Sequence, residues 1–204
     1  MSSARWPRSH GRDEEERRRR RRWRRRGLTP ASLPAPCRAN LPAGRLLGAV
    51  PIDESGESWA VAMASGLVIV STDALAADHP WERIDKGSWD AEARAFTLTL
   101  SDAPERCLSL TVPARIQQGG AARPVAVDRF ARALRQRVEA SLVHLVTRIL
   151  PSGAQARVTI RRGADGALSA VASPEPASAA TAEDRAELEA LLREACDSVG
   201  LDTR

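Results

Sequence analysis

Short alternations of apolar and polar residues fill the chain from about position 44 to position 112. GRLLGAV (44–50) reads as a first strand closed by Pro51, and PIDESGE is a polar loop. Trp59, Val61 and Met63 alternate with Ala60, Ala62 and Ala64, the period of a half-buried strand. Ser65-Gly66 fits a tight turn into the apolar run Leu67-Val68-Ile69-Val70. Asp73 to Pro80 reads as a loop and Trp81 to Ile84 as a short strand broken by Lys86-Gly87-Ser88. Phe96, Leu98 and Leu100 then alternate with Thr97 and Thr99. After a turn at Asp102-Ala103-Pro104, Leu108, Leu110 and Val112 alternate again. About six or seven short strands with turn residues between them argue for a small antiparallel sandwich or partly open barrel.

The period changes after a loop at Gln117 to Ala122. Val127, Phe130, Ala131, Leu134, Val138, Leu142, Leu145, Val146 and Ile149 recur at three- and four-residue steps. Asp128 is a good N-cap and Pro151 a stop, so the spacing predicts one long amphipathic helix reaching Ile149. A hairpin follows, from Ala156 to Arg162 and Ala167 to Ala172 around Gly163 to Gly166. Ser173 to Ala180 is a loop. Thr181, with Asp184 three residues on, opens a last helix whose Leu188, Leu191, Leu192, Ala195 and Val199 share a face, and Gly200 closes it. The fold class is α+β: a small sheet capped by a long helix, then a hairpin and a helix packed on the same domain. An apolar helix face must be buried, and the open end of a curved sheet is its natural partner.

Charge divides the chain differently. Residues 1–26 hold twelve arginines against four acidic residues, and the remaining chain carries 19 basic and 22 acidic groups. The excess positive charge therefore sits in one low-complexity tail. GLTPASLPAPCRAN (27–40) reads as a Pro-rich linker without regular structure, which gives three parts: tail and linker (1–40), sheet plus capping helix (41–150), and hairpin plus helix (151–204). Cys37, Cys107 and Cys196 are odd in number and far apart, a reduced, intracellular pattern. No apolar run is long enough for a membrane span and no apolar stretch follows the basic start, so a cytoplasmic protein is expected.

The order GLVIVSTDAL (66–75), HPWERIDKGSWD (79–90), FTLTL (96–100), CLSLTV (107–112), then FARALRQRV (130–138) resembles the bacterial pleckstrin-homology-like domains, GRAM-type domains included. Within them it is similar to an uncharacterised actinobacterial group with LPAG near the start, a PWERID…WD core and a trailing hairpin and helix. The resemblance implies a barrel-like sheet over roughly 41–150 closed by a helix, with Trp81, Ile84 and Trp89 as sheet and core residues. Trp59, Phe96, Phe130, Leu134 and Val138 join them as expected core on their periodicity. Lipid-binding relatives of that kind place basic residues around the first loop. Here that loop carries Asp53, Glu54 and Glu57, which repel phosphate head groups.

Little in the sequence points to catalysis. His10, His79 and His144 have no second ligand at metal spacing. Cys107 lies in an alternating strand, where a small thiol is ordinarily packed, and no nucleotide, hydrolase or zinc-protease motif occurs. No cofactor is implied. The chemically loud feature is the tract Arg17, Arg18, Arg19, Arg20, Arg21, Arg22, Arg24, Arg25 and Arg26, which reads as a solvated tail or as a polyanion-binding segment with Trp23 able to stack on a base. Arg129, Arg132 and Arg135 form a weaker second patch. The expectation is a non-enzymatic scaffold for an unknown protein partner, its contact surface a free sheet edge or the groove beside the capping helix. The alternative is nucleic-acid or anionic-surface binding through the tail.

Overall fold

The computed structural model describes residues 29–101 and 107–201. The arginine tract, His10 and the turn expected at 102–104 lie outside the described residues.

Four antiparallel strands come first: β1 (Leu46–Pro51), β2 (Ser58–Met63), β3 (Gly66–Ser71) and β4 (Leu75–Pro80), paired in that order. The interior strand β2 is buried along nearly its whole length, its alanines included, rather than on one face. β4 occupies the stretch expected as a loop. As an edge strand exposed over much of its length, it needs no apolar alternation, so its sequence carries no strand pattern. A single 3-10 turn at Trp81–Arg83 leads into β5 (Ile84–Asp90), which pairs with β6 (Ala95–Leu100), and β6 with β7 (Cys107–Thr111). Lys86-Gly87-Ser88 thus lies inside a strand, and the short strand expected at Trp81 is a helical turn.

The loop expected at 117–122 is a two-residue hairpin between β8 (Arg115–Gln118) and β9 (Ala121–Pro124). Gly119 and Gly120 both take positive φ, at 62° and 74°, which the turn geometry of such hairpins requires. The four sheets do not close into a barrel.

The 27–40 stretch also departs from expectation. Its Ala35–Ala39 segment forms a short helix, α1, with Pro34 before it. Leu33 and Cys37 are buried in the first core, and Asn40 donates to the carbonyls of Ser71 and Thr72 at 3.2 Å.

Helix α2 (Asp128–Ser141) packs across β1 and β5. Its N-terminal turn lies so close to β1 that a Cβ on Gly48 would sit 2.8 Å from the Phe130 Cα. Phe130 is fully buried and meets Phe96 edge-on at 5.1 Å, and the Trp89 ring lies tilted against Phe96 at 4.4 Å. Each large side chain so buried contributes about 1.5–3 kcal/mol.

The helix stops at Ser141, eight residues before the expected end. Residues Leu142–Ile149 form β10, which pairs with β11 (Gln155–Arg162) and, through it, β12 (Leu168–Ser173). Val143, Val146, Thr147 and Ile149 are β-branched, and pairing with β11 resolves the ambiguous apolar spacing in favour of a strand. The C-terminal unit therefore begins at 142 rather than 151. Helix α3 (Ala182–Val199) covers one face of this sheet, where Val158, Ile160, Leu188, Leu191 and Ala195 form a second core. Thr181 caps α3 by accepting from the Asp184 N–H at 3.0 Å, and Gly200 ends it.

Candidate functional site

Two features distinguish the C-terminal unit: a polar seam on one face of its sheet and an open groove along its β12 edge. The seam follows from strand alternation. Along β11, Ala156, Val158 and Ile160 point to α3, so Arg157, Thr159 and Arg161 share the opposite face. That face meets the end of the first unit at Asp85. The Asp85 carboxylate binds Arg161 at 2.9 Å and Arg157 at 2.5 Å. Arg161, only 3% exposed, also donates to the Ser141 hydroxyl at 2.7 Å and the Asp85 carbonyl at 2.9 Å. Burial alone would raise the Asp85 pKa, but the hydrogen bonds and charges of Arg157 and Arg161 hold it below the ordinary 3.8. A cavity of about 20 Å³ bounded by Asp85, Leu100, Ser101, Arg157, Thr159, Val171 and Ser173 completes the seam. It has room for about one water, not a substrate.

The groove is a different object. It measures about 680 Å³ and runs between β12 and α3, with Ala170, Val171 and Ala172 on one wall and Leu192, Glu189 and Arg185 on the other. Pro176 also lines it, and Arg185 Nε donates to its carbonyl. Backbone phase decides what the strand offers. Gly163 N–H bonds the Ala167 carbonyl, so by alternation the pairs Arg161/Ser169, Thr159/Val171 and Arg157/Ser173 exchange hydrogen bonds. The N–H and C=O of Leu168, Ala170 and Ala172 consequently face away from β11, and Ala170 and Ala172 line the groove. Leu168 and Ala170 are half-buried and Ala172 is buried, its side chain part of the second core. Glu175 and Glu189 against Arg185 make the rim mildly acidic.

Trp59, Trp81, Ile84, Phe96, Phe130 and Leu134 are buried, and Trp89 and Val138 are half-buried against the same core. Trp59 Nε1 donates to the Gly56 carbonyl and Trp81 Nε1 to that of Met63, satisfying both indoles. Trp89 has Phe96 on one side and the Arg94 guanidinium 5.9 Å from its ring, which occupies it structurally. Cys107 is exposed on β7 instead of packed. In the acidic loop, Asp53 turns inward and accepts from the Gly56, Glu57 and Ser58 N–H groups. Burial would raise its pKa, but the bonds from Ser58, Ser55 and Gly56 hold it low. Arg129 donates to the Leu47 carbonyl at 2.6 Å and Arg135 lies 3.9 Å from Glu139, so the basic patch on α2 is partly engaged. Among the described residues no three His, Cys, Asp or Glu side chains gather as metal ligands. No helix there is long and apolar enough to cross a membrane.

Sequence reasoning missed both the seam and the groove. Arg157 and Arg161 at i and i+4 in an alternating strand were a visible signal for a polar face. The groove had none, because it arises from the spacing of two elements. No family model, no curated protein and no solved structure matches the chain.

Proposed function

We propose that this chain is a non-enzymatic protein-interaction module that captures an extended segment of a partner protein by strand addition along β12. The observation that carries the reading is the coincidence of an edge strand's outward backbone groups with an open groove of peptide size. Main-chain bonds to Leu168, Ala170 and Ala172 supply affinity. Alternate side chains of the added strand fall against Leu192 and Pro176, and basic residues suit the rim carboxylates of Glu175 and Glu189. The groove lies beside α3, not beside the helix that caps the first sheet. We regard the sheet and capping helix within residues 41–150 as a PH-like platform on the strength of the quoted motifs, and the module as cytoplasmic on its cysteine usage.

Selection from a displayed library of peptides about eight residues long against the full chain tests the reading. Ala170→Pro removes an outward N–H without touching the bonds to β11, and is expected to weaken a selected peptide by at least about tenfold, or 1.4 kcal/mol. Leu192→Arg should act similarly. Peptides whose affinity ignores both variants would sink the proposal.

A second reading rests on the twelve arginines of residues 1–26: binding of nucleic acid or an anionic surface. DNA titrated against the full chain and a chain lacking residues 1–28 separates the two, because phosphate binding falls steeply with salt and strand addition does not. The truncation belongs at 28, not 40, since Leu33, Cys37 and Asn40 are part of the fold.

A further inference from the structure

The opposite edge of the same sheet has a different character. Among the described residues, four large apolar side chains are exposed, and three of them, Leu142, Leu145 and Ile149, lie on β10. Leu145 is 47% and Ile149 64% exposed. Among the described residues β10 is an edge strand, paired with β11 alone. Natural edges are ordinarily blunted by proline, lysine, inward charge or a bulge. β4 has Asp78 and Pro80 and an irregular register, whereas β10 has no proline, lysine or irregularity between Leu145 and Ile149, its irregularity falling earlier, at Leu142/His144, and its one charge in that stretch, Arg148, is neutralised by Glu187 and Glu194 of its own chain.

The backbone phase agrees with the side chains. Leu150 N–H bonds the Ala154 carbonyl, so Arg148/Ala156 and Val146/Val158 exchange hydrogen bonds with β11. The N–H and C=O of Leu145, Thr147 and Ile149 face outward, on the residues whose side chains share the face away from α3.

We infer that β10 pairs antiparallel with β10 of a second copy, about a two-fold axis at Thr147. In that register Leu145 meets Ile149 of the second copy, Thr147 meets its own counterpart, and every outward backbone group of the stretch finds a partner. Val146 faces Arg148 of the second copy, and each Arg148 is already held by Glu187 at 2.8 Å and Glu194 at 2.7 Å of its own chain. Neighbouring registers are worse. A two-fold at Arg148 sets arginine against arginine, and one at Val146 sets His144 against Arg148 and slides Ile149 toward the irregular segment. A two-fold interface requires a self-complementary patch, and Leu-x-Thr-x-Ile is symmetric about its centre. The two three-stranded sheets become one continuous sheet, with the β12 grooves left at its two outer edges. The dimer does not depend on what the grooves bind.

Sedimentation velocity of the full chain over a range of concentrations tests the inference. The expected result is a monomer–dimer equilibrium that Ile149→Lys shifts toward monomer by at least about tenfold, with circular dichroism and thermal unfolding unchanged because the residue is exposed. Thr147→Pro should do the same, since the N–H it removes faces outward. As a gain-of-signal control, Thr147→Cys in a Cys107→Ser background should oxidise to a covalent dimer, opposed residues in a hydrogen-bonded pair being about 5.5 Å apart. A chain that stays monomeric, a dimer indifferent to Ile149→Lys with no cross-link at Thr147→Cys, or open-ended polymers would each overturn it.

Discussion

The two cores of this chain are built from different material. Beneath β1–β9 and α2, the first core carries Trp59, Trp81, Phe96 and Phe130, large rings locked by edge-on stacking and satisfied indoles. The second, between β10–β12 and α3, holds only aliphatic side chains. Its sheet turns its other face to the first unit through a carboxylate and two guanidinium groups. The first core packs its sheets against α2; the second sheet packs against α3 on one side and meets an ion seam on the other. A charged seam whose members satisfy one another fixes geometry more than it adds stability, so removing one member costs more than the intact cluster contributes.

Breaking the comparison at its strongest point means Phe130→Ala. Losing a fully buried ring that joins helix to sheet should cost about 3–5 kcal/mol, read as a fall in the denaturation midpoint of the first unit. Gly48→Val acts on the same contact without deleting anything: its Cβ would collide with the Phe130 backbone, and overpacking should cost about 1–3 kcal/mol.

Asp85→Ala attacks the seam. It strands Arg161 in a buried site, and a loss of roughly 3 kcal/mol should appear in amide exchange across β10–β12 and α3 before β1–β3. Asp85→Asn sharpens the point through pH. Because the folded carboxylate has a depressed pKa, its stabilisation is present above the unfolded value of 3.8 and is lost as pH falls through the folded value. The wild-type chain should therefore lose stability more steeply on acidification below about pH 4 than Asp85→Asn does. Asp53, held low by loop hydrogen bonds, contributes with the same sign to the first unit.

The smallest effect concerns α3 alone. Thr181→Ala removes the cap on the Asp184 N–H and should cost about 1 kcal/mol, confined to the C-terminal unit.

What the sequence revealed follows the same division. Strands with one clear alternation, such as β6 with Phe96 and Leu98, were legible, as were the Thr181 cap and the Gly200 stop, because each depends on local chemistry. β4 was not, since an exposed edge strand has no buried face to mark it. Residues 142–149 misled for a physical reason: Leu142, Leu145, Val146 and Ile149 fit a helical period as well as a strand, and only pairing with β11 decides. Gly119-Gly120 is a hairpin signal that the loop expected at 117–122 leaves unused. The seam was half legible in Arg157 and Arg161, but their partner Asp85 lies 72 residues before Arg157, a distance no local pattern spans. The groove between β12 and α3 depends entirely on tertiary placement.

The most direct test of the strand-addition account is amide hydrogen exchange of the full chain with and without a selected peptide. New protection is expected at Leu168, Ala170 and Ala172, whose N–H groups point away from β11, with little change at Ser169 and Val171, already bonded to β11. Protection confined to residues away from β12, or spread evenly across odd and even positions of the strand, would contradict it.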